Sequence, residues 1–297
     1  MKIQFSPYSL IKKNRVNALD QTSRKEGSLI KITDAEGHWG VADICPWPSL
    51  GDLSLKDEIR YKASLFQRAI VLATEDLHAR QQEKSLLRNH WVDNNILVTN
   101  YSSFNFKDPA FQGKTLKIKG DHQVESLAEI LNAAPTYLDF RIDFNGVLTK
   151  DEFQRFLKLL SDSVKIQYIE DPSVYEPEFW NRWNKQRPLA SDFIPASDHF
   201  KFKIIKPARE ALGHYENFTI TSAMDHPVGL AHALRIAQNF AQNKSGLLTL
   251  PLYEKTEFHE CFIYRNESEI NFSHQMLKET GIGMTEALKQ LKWIDSV

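Results

Sequence analysis

From residue 96 onward the chain repeats one unit: a short β-rich run, a polar or glycine-containing turn, then an amphipathic helix. The runs fall at 96–99, 115–119, 137–142, 164–169, 188–190, 202–205, 218–221 and 247–250. Val124, Leu127, Ala128 and Leu131 recur at helical spacing after the second run. Phe153, Phe156, Leu157 and Leu160 do so after the third, and Leu230, Leu234, Ala237 and Ala241 after the seventh. Eight strands interleaved with helices over ~160 residues predict a parallel α/β barrel rather than an open sheet.

The first ninety residues read differently. Apolar stretches at 29–32 and 39–42 flank the turn signal Asp34-Ala-Glu-Gly37. The segment 54–82 holds no Gly or Pro and places Leu55, Ile59, Phe66, Ile70, Ala73 and Leu77 at helical spacing. An α+β domain over 1–90 is therefore expected to precede a barrel over 91–272. The stretch from about 273 to 297 leaves the pattern and is expected to pack back on the N-terminal domain.

Composition narrows the function classes. Among 297 residues, 37 Lys+Arg face 38 Asp+Glu, a net charge of −1, which leaves no basic footprint for nucleic acid. The longest apolar run, 69–73, is far short of a membrane span, and the N-terminus lacks the pattern of a signal peptide. Two cysteines, Cys45 and Cys261, make neither a disulfide framework nor a zinc ribbon. The expectation is a soluble, cytoplasmic enzyme acting on a small molecule, with no nucleic-acid or membrane partner; the number of subunits is not readable.

Chemistry in such a barrel sits at the C-terminal ends of the strands. Three consecutive strands end in Asp143, Glu170 and Asp192, 27 and 22 residues apart, one strand–helix unit each. Three carboxylates at one mouth repel, and an oxygen-rich cluster suits Mg²⁺, or Mn²⁺. Lys117 and Lys119 end the strand before them and Lys206 ends the strand after. A divalent ion flanked by lysines suits abstraction of a proton beside a carboxylate, with a base kept neutral by neighbouring cations.

Some motifs point elsewhere and are set aside. The segment 143–153 resembles an EF-hand loop, but its glutamate comes two positions early and its third acidic ligand is missing. Thr149-x-x-Glu152 reads better as a capping box for the following helix. His226 and His232 lack metal-ligand spacing.

The strand-end residues, in order, resemble the enolase superfamily, in the branch with lysines on strands two and six. The matches are Lys117-x-Lys119, Asp143-x-Asn145, Ile169-Glu170-Asp-Pro172, Ser191-Asp192 and Ile205-Lys206-Pro207. They continue in the segment Thr221-Ser222 to Gly229 and in Gly281-Ile-Gly283. Arg24-Lys-Glu-Gly27 and the segment from Gly40 to Pro48 are similar to the superfamily's capping domain. Arg141, two residues before Asp143, extends the likeness to the o-succinylbenzoate synthases of menaquinone biosynthesis.

The resemblance implies a modified (β/α)8, TIM-like (β/α)7β barrel with an α+β capping domain. It implies Asp143, Glu170 and Asp192 as Mg²⁺ ligands, Lys119 as the base, and Lys206 as the group stabilising the enediolate. Lys117 would supply charge near the substrate carboxylate, and Asn145 would support the metal site. Arg141 either recognises substrate or makes a structural ion pair, and Ser222 bonds either substrate or backbone. The implied reaction is syn-dehydration of 2-succinyl-6-hydroxy-2,4-cyclohexadiene-1-carboxylate to o-succinylbenzoate.

Alternatives with the same lysines and metal are muconate cycloisomerase-like enzymes, N-acylamino acid racemases and dipeptide epimerases. The Asp-x-Asp usual after strand eight of the epimerases is missing at 248–253. A non-catalytic binding protein on this fold is the alternative from another class.

Three departures stand out. Only 14 residues separate Asp192 from Lys206, so the helix there should be lost and the barrel shortened. Asp225-His226 replaces the usual Glu-Ser, and Asp43 replaces a frequent Glu. The polar stretch from Lys12 to Glu26 is the part of the cap expected to close over substrate.

Overall fold

In the computed structural model, residues 1–13, 22–194 and 197–295 are described. The chain opens with an antiparallel meander of β1 (Lys2–Ile11), β2 (Arg24–Thr33) and β3 (Trp39–Ile44). Asp34 shapes the β2–β3 turn, its carboxylate accepting from the N–H groups of Glu36 and His38. Helices α1 (Leu55–Arg60) and α2 (Ser64–Gln81) follow. Phe66, Ala69, Ala73 and Leu77 of α2 pack on Ile30, Ile32, Ala42 and Ile44 of the sheet.

Part of the stretch expected to close over substrate is strand instead, with Arg24 to Glu26 paired to Ile11 to Ser9. Residues 14–21, its middle, lie outside the described residues.

After β4 (Val92–Asp93) comes the barrel. Its first strands are β5 (Ile96–Val98), β6 (Thr115–Lys119), β7 (Asp139–Asp143) and β8 (Lys165–Glu170), with α3 (Val124–Ala133) after β6 and α4 (Lys150–Leu159) after β7. Then come α5 (Pro177–Asn184), β9 (Leu189–Ser191), β10 (Phe202–Ile205), β11 (Phe218–Ile220) and α6 (Pro227–Phe240). All seven barrel strands are parallel, in the order β11-β10-β9-β8-β7-β6-β5. Residues pointing outward from them, such as Ile118, Phe140, Ile142 and Ile169, pack with Leu127 of α3 and with Phe153 and Phe156 of α4. Both faces of the sheet are thus buried, which explains the near-continuous apolar runs. The Thr149–Glu152 capping box forms and starts α4.

Strand eight is where the structure departs from the sequence reading. The ring closes through Ser245 and Gly246, which bridge in parallel to Asn94 and Thr221. Asn95 N–H donates to Ser245 O at 2.8 Å, and Gly246 N–H to Ile220 O at 2.9 Å. The expected strand at 247–250 does not form; Leu250–Leu252 is a 3₁₀ turn containing Pro251. Leu247 and Leu250 are apolar because they pack with Leu230, Leu234 and Phe258 beneath α6, not because they extend a ladder.

The outer wall is thin. Among the described residues no helix stands between β9 and β10, where the 14-residue spacing left no room, and none stands between β10 and β11 either. At the N-terminal end of the barrel, β12 (Phe262–Arg265), β13 (Glu269–Phe272) and β4 make a small antiparallel sheet.

The chain then returns to the N-terminal domain through α7 (Thr285–Lys289) and β14 (Ile294–Asp295), which pairs with β1. Asp76 of α2 anchors this return. Its carboxylate is fully buried and accepts from Ile282 N–H at 2.7 Å, Val41 N–H at 3.0 Å and Arg80 Nε at 3.1 Å. Gly281, at φ +60°, lies so close that a Cβ there would collide with Asp76 Oδ1. Replacing Asp76 with Ala leaves two buried N–H groups and Arg80 Nε without their acceptor. Asp76→Ala is therefore expected to lower the free energy of unfolding by about 3 kcal/mol, measured by urea titration.

Candidate active site

Strand alternation and parallel register together build the site. Residues at 115, 117 and 119 of β6 point into the barrel, and the register matches Lys119 with Asp143 and Asp143 with Glu170. On the next strand, Glu170 pairs with Ala190, two residues before Asp192, and β10 ends one residue before Lys206. Neighbouring strands therefore present, in order, Lys119, Asp143, Glu170, Asp192 and Lys206. All five line one cavity, open to solvent at its mouth.

The charges interlock. Lys119 Nζ meets Asp143 Oδ2 at 2.5 Å. Lys117 starts one layer lower and reaches up to bridge Glu170 Oε2 at 2.6 Å and Asp143 Oδ2 at 2.9 Å. Lys206 pairs with Asp192. Burial raises the Asp143 carboxyl, but Lys117 and Lys119 outweigh burial and hold it well below the carboxylate range. Burial likewise opposes the charge on Lys117, yet Asp143 and Glu170 hold it well above the lysine range. Glu170 is pushed up to about 7 by burial and by Asp143, in spite of Lys117.

Three hard oxygen donors from adjacent strands, one of them reluctant to ionise, fit a divalent cation such as Mg²⁺: added positive charge is what would keep Glu170 ionised. Asp171 belongs to this cluster as well. Oxygens of Glu170, Asp171 and Asp192 lie within 4.8 Å of one another. Buried and at φ +40°, Asp171 accepts from Ser191 Oγ at 3.0 Å and from Asp192 N–H at 3.2 Å, so it fixes the start of the strand-five loop. Sequence reasoning saw it only as part of a Glu-Asp-Pro motif.

The remaining expected site residues divide. Asn145, also in the left-handed region, lines the cavity and gives its side-chain amide and its backbone N–H to Asp143 Oδ1. Ser222 lines it too, but its hydroxyl is engaged with Thr249 Oγ1 at 2.8 Å and with the N–H of Met224 at 3.0 Å.

Arg141, expected either to recognise substrate or to make a structural ion pair, is not among the residues that line the cavity. Two residues before Asp143 means one layer deeper in the barrel. There its guanidinium donates to Asn95 Oδ1 at 3.0 Å, Lys244 O at 2.8 Å and Gln167 Oε1 at 2.9 Å, beside the Tyr168 ring. It spans the barrel interior and meets the loop that closes it.

The cap supplies a wall that motif reading missed. Trp47 and Leu50 line the cavity, and Trp47 Nε1 donates to Ala223 O, on the strand-seven loop, at 3.0 Å. Trp47 N–H donates to Asp52 at 2.6 Å, and Asp52 is held by Arg209, three residues beyond Lys206, in a two-pronged ion pair. Cys45-Pro-Trp-Pro48 was visible as a cap signature; nothing in the sequence marked Arg209. Leu97, Phe193, Met224 and Leu248 add to the apolar lining.

Comparisons with known proteins agree with this geometry. Residues 3–79 match the family described as "O-succinylbenzoate synthase, N-terminal domain". An o-succinylbenzoate synthase of Bdellovibrio bacteriovorus is 28% identical over 99% of this chain and 98% of its own length. Among solved structures, a dipeptide epimerase from Cytophaga hutchinsonii, complexed with Mg and the dipeptide D-Ala-L-Val, superposes with a TM-score of 0.77. It is 14% identical and covers 99% of this chain and 98% of its own. The L-Ala-D/L-Glu epimerase of Bacillus subtilis gives 0.70 at 15% identity, with 95% and 98% coverage. At such identities these structures share the fold.

Because Arg141 serves the barrel interior, Arg141→Met is expected to cost about 2 kcal/mol of stability by leaving Asn95 and Gln167 without their donor, read by urea unfolding.

Proposed function

We propose that this chain, an enolase-superfamily enzyme whose N-terminal domain is of the o-succinylbenzoate synthase type, is itself an o-succinylbenzoate synthase. It would dehydrate a succinyl hydroxycyclohexadiene carboxylate to the aromatic acid. The observation that carries the reading is the order Lys119, Asp143, Glu170, Asp192, Lys206 along neighbouring strands, with all five facing one cavity.

In this reading Asp143, Glu170 and Asp192 hold Mg²⁺, which when bound supplies positive charge to a substrate carboxylate and to the negative charge that grows there. Lys119 takes the proton from the carbon beside that carboxylate. The electron pair moves into the carboxylate to give an enediolate. Lys206 faces it from the opposite end of the row, and its ammonium stabilises the new charge. As the enediolate collapses, the carbon–oxygen bond to the hydroxyl breaks. Lys119 returns its proton to the departing hydroxide, so that proton and hydroxyl leave from one face as water.

Lys117 keeps Glu170 and Asp143 together and adds to the positive field. Asn145 keeps Asp143 oriented. The apolar wall of Trp47, Leu50, Leu97 and Leu248 excludes water from the ring.

The direct test is formation of the aromatic product by the purified protein with Mg²⁺. Lys119→Ala should lower kcat by about 10³-fold or more while Mg²⁺ still raises the thermal midpoint. Full activity in that variant would remove Lys119 as the base. If the unaltered protein makes no aromatic product but epimerises acyl amino acids or dipeptides, the substrate assignment fails and the lysine chemistry survives.

A further inference from the structure

Outside the cavity, at the contact between cap and barrel, lies a second buried acidic group. Asp43 of β3 and Asp225 of the strand-seven loop are both buried, Asp225 completely. Their Oδ2 atoms lie 2.9 and 2.6 Å from one point, the position a Cβ on Gly229 would take, so only glycine lets α6 begin between them. Asp43 is fully served: Tyr8 OH donates to Oδ1 at 2.7 Å and His226 N–H to Oδ2 at 2.9 Å. Asp225 is not, because neither of its carboxyl oxygens makes a hydrogen bond to another described residue. An ionised carboxylate buried beside a second one with no donor is costly; a neutral carboxyl with its own O–H to give is not.

We propose that Asp43 of the cap and Asp225 of the barrel share one proton, and that this acid pair holds the strand-seven wall of the cavity against the cap. The wall is the segment from Ser222 to His226. It is fastened elsewhere by Trp47 Nε1 on Ala223 O, by Tyr253 OH on Met224 O and by the hydroxyl pair of Ser222 and Thr249.

The surrounding charges fit one shared proton. Tyr8 of β1 and Cys45, the residue after β3, stay protonated, the thiol pushed up to about 12 by burial. His226, sandwiched between the rings of Tyr8 and Phe258, is pushed down to about 3 by burial and by His259, and is neutral. Lys25 of β2 gives its amino group to Pro46 O over the Trp47 ring, burial brings it down to about 8, and Arg209 is already committed to Asp52. Lys206 is tied to Asp192. Burial and the charge of Asp225 raise Asp43 to about 8, and burial raises Asp225 to about 6.

Both carboxyls are raised on folding, so the folded state keeps a proton that the unfolded chain has lost. The stabilisation is complete below the ordinary aspartate range and disappears as pH climbs through about 6 and about 8. The experiment is thermal unfolding of the whole protein without substrate, from about pH 6 to about pH 9. This makes the result independent of which reaction the cavity performs.

Asp225→Asn, whose amide donates to Asp43 without titrating, should shrink the fall in midpoint across that range by about half or more, and should be more stable than the unaltered protein at the alkaline end. Asp225→Ala, which can share no proton, should flatten the profile likewise while lowering the midpoint at the acid end. Amide exchange across 222–226 should quicken with pH in the unaltered protein alone. Profiles of both variants parallel to that of the unaltered protein would overturn the proposal, leaving Asp225 ionised and hydrated at all these pH values.

Discussion

Carboxylates buried side by side repel one another strongly in a medium of low polarity, and every feature of the barrel mouth answers that repulsion. Asp143, Glu170 and Asp192 end adjacent strands because the parallel register leaves them nowhere else to go. Lysines occupy both flanks and the layer beneath. The protein's near-neutral total charge thus conceals an ordered arc of three carboxylates flanked by lysines. Such an arc makes poor packing, and in the proposed reaction it would receive a carboxylate and stabilise the charge that forms when a neighbouring carbon loses its proton.

What could be read from the sequence followed from period and spacing. The alternation of Lys117 and Lys119, and the gaps from Asp143 to Glu170 to Asp192, specify a barrel arc because strand geometry converts them directly into position. Depth was harder. Arg141 shares the inward face with Asp143, and only the three-dimensional layer shows that it bonds Asn95 and Lys244 O instead of facing the cavity. Strand eight was misplaced for a related reason. Leu247 and Leu250 carry a strand-like apolar signal that belongs to packing, while Ser245 and Gly246, which close the ring, carry none. Arg209 and Trp47 join the site through folding of the cap onto the barrel, a long-range event without a local pattern.

Two parts of the chain thus divide the labour of the cavity. The barrel supplies the charged arc, and the cap supplies the indole and the leucine that lean over it. Where they meet, Leu29 and Val41 of the cap pack with Val228, Leu230 and Ala231 of α6, and polar contacts that include Trp47 on Ala223, Asp52 on Arg209 and Asp43 on His226 set the position of the cap over the cavity. Substitutions in the Pro46–Leu50 segment can therefore reshape what fits without altering the spacing of the lysines and carboxylates, whereas changes on β6 to β10 alter the reactive charges themselves.

The two-residue closure of the barrel has a mechanical consequence. Ser245 and Gly246 sit directly across the ring from β8, the strand that carries Glu170, and the backbone rungs around them are few. A hoop gives way first at its weakest joint, and this joint lies diametrically opposite the arc whose spacing matters. Transient parting there leaves the four ladders that join β6 to β10 untouched, so the barrel can absorb thermal strain at its seam while its charged residues keep their distances.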